Sequence, residues 1–372
     1  MAEIKPIIGC NGTPGSNSIP HAARQNMCGF AVNALPLAVL IAIFAIAASA
    51  VWWAGSHLPR YVVGLSDKTG LGQGFAGMLV LGGITSLPEL ATATTAAAIG
   101  APLLALNDVL GSAAFNILLL AVADMLLGPH PLTSVVAKPV TLIQGVLGMM
   151  VLGLVIAAIT YGESQLFGLA GLGSTLVFGS AVAAIWIADR SERRPMWLVV
   201  NQPDLALAAE AEHSDISWHQ ILLGLNMLAA IILIAGGVLA TSATMIAQQT
   251  GLGGSVMGFL FVSAATSLPE LSAITGAIRN QRYELAIGEV FGSNLFNIAF
   301  IFVIDLVSPG PPVLGLAGPF EAMAALLALL MSGVFVLGLI ERRDRTILRM
   351  GVDSIAVLLV YGIGLALLLT IA

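Results

Sequence analysis

Two glutamates stand in runs of sequence that are otherwise apolar. Glu89 lies in GGITSLPELATATTAAAIG and Glu270 in SAATSLPELSAITGAIRN. A carboxylate near the middle of a membrane costs several kcal/mol unless something compensates it, and two that meet repel each other unless a cation sits between them. No Lys, Arg or His falls in the apolar core of any segment, so the counter-charge is expected to be a metal ion or protons. Each glutamate follows a proline, Pro88 or Pro269. A proline inside a helix supplies no N–H and frees the carbonyl one turn earlier, at about Ile84 and Ala265. Next to those carbonyls are the hydroxyls of Thr85, Ser86, Thr266 and Ser267.

A second element follows each first one: LLALNDVLGSAAFNILLL and LAIGEVFGSNLFNIAFIF. Asp108, Ser112 and Asn116, like Glu289, Ser293 and Asn297, recur at i, i+4 and i+8, which places each trio on one side of a helix. The two glutamates, the two Asn amides, the hydroxyls and the carbonyls form an oxygen-only donor set. Calcium takes about 6 to 8 such oxygens in flexible geometry, and sodium accepts similar hard ligands. Thiolate or imidazole for a softer metal is missing: Cys10 and Cys28 precede the first apolar run, and none of the five His lies in an apolar core.

These residues come in pairs. Thr85, Ser86, Pro88, Glu89, Asp108, Ser112 and Asn116 correspond to Thr266, Ser267, Pro269, Glu270, Glu289, Ser293 and Asn297, all offset by 181 residues. The elements that must carry them follow from composition. The 372 residues are 58% hydrophobic and only 9% charged, with mean hydropathy +0.98, against roughly 25% charged in a soluble domain. About 20 apolar residues span a bilayer, and the chain divides into ten such segments, near 33–55, 72–99, 103–127, 139–160, 166–188, 217–247, 253–279, 284–307, 317–339 and 348–371. The expected fold is an all-α polytopic membrane protein.

Residues 1–32 read as an extracytoplasmic tail, 33–188 as a first five-helix repeat, 189–216 as a polar cytoplasmic linker and 217–372 as a second five-helix repeat. Five is odd, so the second copy enters the membrane from the opposite side. Such inverted repeats are the plan of many secondary transporters. If loops alternate sides, twelve of the fourteen Lys and Arg fall on one side, which puts both termini outside the cytoplasm. The inversion also places Asp108 about one turn from the outer face and Glu289 about one turn from the cytoplasmic face. They are expected to line opposite vestibules and attract cations, or to snorkel to the interface. Asp124 and Asp305, at the far ends of their helices, are expected to be solvated.

Other classes fit less well. No basic patch offers itself to nucleic acid. No HExxH or paired Ser and His at membrane depth offers an enzyme, and no TVGYG-type filter offers a channel. The expected partners are inorganic cations and the lipid bilayer, with no cofactor.

At the two paired motifs, GGITSLPEL with NDVLGSAAFN and SAATSLPEL with GEVFGSNLFN, the chain resembles the sodium/calcium exchanger branch of the calcium/cation antiporter superfamily. The likeness extends over nearly the whole chain. It implies exchange of Ca2+ for Na+ by alternating access in a prokaryotic cytoplasmic membrane, with ions held between helices two, three, seven and eight while the first and sixth slide past. Carried over, the ligands are Thr85, Ser86, Glu89, Ser112 and Asn116 with Thr266, Ser267, Glu270, Ser293 and Asn297. Two positions depart from the pattern. Relatives can carry Asp where this chain has Asn297, and the Asn that usually precedes the Gly-Ser element is Asp108 in one copy and Glu289 in the other. Both glutamates can take protons as readily as sodium, so an H+- or K+-coupled exchanger of the same fold stays open.

Overall fold

The computed structural model describes residues 35–69, 77–127, 130–136, 138–163, 165–166, 170–193, 216–342, 345–347 and 349–371. The expected tail, with Cys10 and Cys28, and most of the expected linker lie outside the described residues. The first half contains α1 (Leu37–Thr69), α2 (77–98), α3 (Pro102–Leu127), α4 (Pro139–Tyr161) and α5 (Leu172–Arg193). The second half repeats the order with α6 (Trp218–Thr250), α7 (Gly254–Arg279), α8 (Tyr283–Val307), α9 (Pro319–Glu341) and α10 (Val352–Ile371). Among the described residues nine of these are long and apolar enough to cross a membrane. The tenth, α2, is the counterpart of α7, and residues 70–76 just before it lie outside the described set.

Both α2 and α7 are broken. Each contains a π-helical turn, Gly77–Leu81 in α2 and, after the α-helical Gly254–Val256, Met257–Val262 in α7; each then runs one short α-helical turn to Thr85 or Thr266 and restarts at Leu87 or Leu268. At the joint Ser86 has φ −78° and ψ 4°, and Ser267 φ −81° and ψ 8°, the bridge conformation between helix and turn. Pro88 and Pro269 fall within the first two positions of the restarted helix, where a missing N–H costs nothing. A proline that would kink a continuous helix here begins a new one.

The helices that carry these breaks are buried among the others. Helix α2 packs on α3 and α8, and α7 on α8 and α3, while α1 lies against α6 and α7 and α6 against α1 and α2. Small residues allow the approach, as membrane helices require where lipid supplies no hydrophobic drive. A Cβ on Gly292 of α8 would strike the Met78 carbonyl, and one on its repeat counterpart, Gly111 of α3, would lie 2.8 Å from the Phe259 Cα. The same symmetry governs the outer pair: Gly55 of α1 meets Pro269, and Gly236 of α6 meets Pro88.

Two short hairpins, missed by the periodicity, precede α5 and α10. Strand β1 (Gln165–Leu166) pairs with β2 (Ala170–Gly171), and β3 (Thr346–Ile347) with β4 (Met350–Gly351). They start α5 and α10 a few residues later than expected, at Leu172 and Val352. Their ends are held by Asp305 and Asp124, which the sequence placed in solvent. Both are buried instead. Asp305 accepts from the Gly171 amide at 2.9 Å, the Ser174 hydroxyl at 2.5 Å and the Val313 amide at 2.6 Å. Asp124 accepts from the Gly351 amide at 2.6 Å and the Leu132 amide at 2.5 Å. The reason is electrostatic. Each aspartate ends its own helix, where negative charge is unfavourable, but also caps the N-terminus of a helix from the other repeat and of a short helix in its own, Leu132–Val135 or Val313–Leu316. Beside Asp305, outside the spans, Glu163 accepts from the Ser174 amide at 2.9 Å. Burial, with added repulsion from Asp305, raises the Glu163 carboxyl above its ordinary value.

Because backbone blocks the space beside Gly292, Gly292→Ala is expected to destabilise the detergent-solubilised protein by about 1–3 kcal/mol, the cost of overpacking. Gly179, with no atom within 4 Å of its would-be Cβ, should accept Ala without loss. Thermal unfolding of the two variants checks this, and equal midpoints would refute the tight crossing.

Candidate functional site

The pattern Ser-x-x-Glu at the start of a helix ordinarily forms a capping box, in which each side chain bonds the other's backbone amide. Ser86-Leu87-Pro88-Glu89 and Ser267-Leu268-Pro269-Glu270 have that spacing at the restart of α2 and α7, yet neither serine caps through its side chain. Among the described residues, all four carboxylate oxygens of Glu89 and Glu270 are buried without a hydrogen-bond partner, as is the Ser267 hydroxyl. Both glutamates are fully buried. Each lies in the first turn of its helix segment, where the positive end of the helix dipole favours negative charge. Polar groups that could have capped a helix are left facing the interior.

Around each glutamate the two repeats cross over. Thr85 of the first repeat donates to Glu289 of the second at 3.0 Å and meets Ser293 at 3.1 Å. Thr266 of the second donates to Asp108 of the first at 3.2 Å and meets Ser112 at 3.3 Å. The Ser86 hydroxyl reaches the Ser293 carbonyl at 3.5 Å. Thr266 and Ser112 lie beside Glu89, and Thr85 beside Glu270, while Thr266 and Thr85 make their closer contacts to Asp108 and Glu289. Glu89 is repelled by Asp108, and Glu270 by Glu89 across the centre and then by Glu289. Among the described residues no three His, Cys, Asp or Glu side chains close on one point. A cation held here would therefore rely on neutral oxygens for most of its ligands.

Asp108 and Glu289 thus do not line vestibules. Both are fully buried and bonded to the central threonines. The expectation assumed straight spans and measured depth from helix ends; the break in α2 and α7 instead brings Thr85 and Thr266 to meet these acids. Asn116 and Asn297 are also fully buried, and Asn116 Oδ1 and both amide atoms of Asn297 are unpaired. All ten expected donors and the two further acids are buried, and the hydrogen bonds above tie α2 to α8 and α7 to α3 through some of them.

Some participants escaped the sequence reading. Thr92 donates to Asp108, and Asn294 bonds Asn116. Asn107, next to Asp108, donates to Glu321 at 2.8 Å; Glu321 also accepts from Ser255 at 2.7 Å and the Gly318 amide at 2.7 Å. The repeat counterparts of Thr92, Asn294 and Asn107 are Ala273, Ala113 and Gly288, so a comparison of the two halves passes over them. Thr92 was within reach of a helical reading, one turn beyond Glu89.

A doubled set of broken helices that enclose unpaired oxygens inside a polytopic bundle defines the class: a membrane transporter built from a repeat. The chain belongs to the sodium/calcium exchanger protein family, which it matches over residues 39–187 and 220–370. It is 30% identical over 295 residues to CaxA of Alkalimonas amylolytica, whose name assigns it provisionally to the antiporters; the match covers 77% of this chain and 88% of CaxA. It is 27% identical over 241 residues to the inner membrane protein YrbG of Escherichia coli (strain K12), covering 63% and 69% of the two chains. A structure of the sodium-calcium exchanger NCX_Mj soaked with Na+ and Sr2+ shares the fold, with TM-score 0.58, 19% identity, and coverage of 89% of this chain and 99% of that one.

Glu289 and Asp108 differ in how well they are supported. Among the described residues, Glu289 without Thr85 keeps only Ser293, at 3.4 Å, whereas Asp108 without Thr266 keeps Thr92. Thr85→Val is therefore expected to destabilise the protein by about 1–3 kcal/mol, the cost of leaving a buried acceptor unmet, and Thr266→Val by less. Unfolding in detergent ranks them, and the reverse order would contradict this account.

Proposed function

We propose that the chain is a secondary antiporter that exchanges Ca2+ for Na+ by alternating access, without catalytic residues or a cofactor. One observation carries the reading: Glu89 and Glu270 are fully buried with all four carboxylate oxygens unpaired. Such oxygens are costly in an apolar interior unless cations visit them. The proposed ligands are Glu89, Glu270, Asn116 and Asn297 with the hydroxyls of Thr85, Ser86, Thr266, Ser267, Ser112 and Ser293. All are hard oxygen donors, as Ca2+ and Na+ prefer. Membership of the sodium/calcium exchanger family supports the same choice of ions.

The chemistry needed is neutralisation without covalent change. Glu89 and Glu270 hold charge at helix N-termini, and bound cations offset it. One divalent ion or a set of monovalent ions can do so in turn, which makes their occupancy mutually exclusive. The breaks at Ser86 and Ser267 supply the turn that brings hydroxyls and glutamate to one place. Gly55 and Gly236, pressed on Pro269 and Pro88, leave α1 and α6 without bulk at the crossing, as sliding requires. Both termini are placed outside the cytoplasm of a prokaryotic cell, in its cytoplasmic membrane, on the distribution of Lys and Arg.

An H+- or K+-coupled Ca2+ exchanger is the second reading. Asp108 and Glu289 favour the proton-coupled form, since they bring the buried acids of the centre to four, each able to take a proton. Ca2+ uptake into proteoliposomes under an imposed sodium gradient, compared with an imposed pH gradient, separates the readings: sodium is expected to drive uptake, and uptake that follows pH and ignores sodium reverses the ranking. Glu89→Gln and Glu270→Gln are each expected to abolish exchange at normal expression. A fully active single variant would remove that carboxylate from the site.

A further inference from the structure

The two central amides are not equivalent. Asn116 Nδ2 donates to Asn294 Oδ1 at 3.1 Å, and Asn294 Nδ2 donates to the Ala113 carbonyl at 3.1 Å. Both side chains are buried, Asn294 being 3% exposed. An amide can be turned to present either oxygen or NH2, but a backbone carbonyl can only accept. Ala113 therefore obliges Asn294 to point its NH2 toward α3. The Asn294 oxygen is then what Asn116 meets, so Asn116 must offer its own NH2. The one polar atom of the Asn116 side chain left over is Oδ1, which is buried and unpaired.

We propose that Asn294 is a positioning residue that sets Asn116 to present its oxygen, never its NH2, to a cation in the centre. This rests on the exchange reading above. The duplication isolates the effect. Asn297 is the counterpart of Asn116, but the place that Asn294 holds for Asn116 is taken for Asn297 by Ala113, which has no amide. Accordingly both amide atoms of Asn297 are unpaired. One half of the centre carries an oxygen fixed by a relay from the backbone, and the other an amide free to turn. An NH2 turned toward a cation would repel it, so Asn294 contributes to affinity without touching the ion.

The test uses the full chain, with 45Ca2+ uptake into proteoliposomes and, independently of transport, the Ca2+ dependence of the melting midpoint in detergent. Loss of a residue that orients a ligand typically weakens metal binding 10- to 100-fold. Asn294→Ala is expected to raise KM for Ca2+, and the Ca2+ concentration that half-shifts the melt, by about 10-fold, with kcat within about twofold of wild type. If Ala does not yield folded protein, Asn294→Ser, too short for the relay, is expected to do the same. In an Asn116→Ala background, Asn294→Ala is expected to add nothing, because the residue it orients is gone. An unchanged KM in Asn294→Ala, or effects that add in the double variant, would overturn the assignment. A wild-type chain that neither carries nor is stabilised by Ca2+ would overturn the exchange reading and this assignment with it, which distinguishes the two failures.

Discussion

The structure is arranged around the cost of keeping acids in an apolar interior. Four carboxylates, Glu89, Asp108, Glu270 and Glu289, are fully buried, and the chain meets the cost differently for the two kinds. Asp108 and Glu289 are given hydroxyl donors from the opposite repeat. Glu89 and Glu270 are given the end of a helix and neighbouring hydroxyls, Thr266 and Ser112 or Thr85, that point no close hydrogen bond at them. Asp108 is bonded at both oxygens and Glu289 at one, its Oε2 being left unpaired, whereas neither oxygen of Glu89 or of Glu270 is bonded among the described residues. Breaks, prolines and small residues are the means by which helices approach closely enough to maintain that difference.

Crossing the donors between repeats has a mechanical result. Thr85 answers to Glu289 and Thr266 to Asp108, so neither copy completes its own half of the centre. The glycine crossings follow the same rule, with α8 against the start of α2 and α3 against the start of α7. The two copies thus form one central bundle, and α1 and α6 lie on its outside against the two prolines.

Much of this could be read in the sequence because duplication doubles the signal. Each of Thr85, Ser86, Glu89, Ser112 and Asn116 reappears at the same offset, and nine of the ten spans read from hydropathy are long, apolar helices among the described residues. What could not be read falls into two kinds. Depth was misjudged for Asp108, Glu289, Asp124 and Asp305, because distance along a helix says nothing about which other helix covers its end. Partners present in a single copy, such as Thr92 and Asn294, were passed over because their counterparts are alanines. The hairpins before α5 and α10 were read as helix, since two-residue strands leave no period to detect.

The buried aspartates at the helix ends carry a consequence for how the polypeptide is made. Asp124 finds the amide of Gly351 only after a further 227 residues have been added, whereas Asp305 looks back 134 residues to Gly171. Among the described residues of the half that leaves the ribosome first, Asp124 can bond only Leu132 and the start of α5 only Glu163, and the half that leaves last supplies the remaining partners of both. The hydrogen bonds that close one repeat on the other through these aspartates therefore form only once α10 and α8 have both been made.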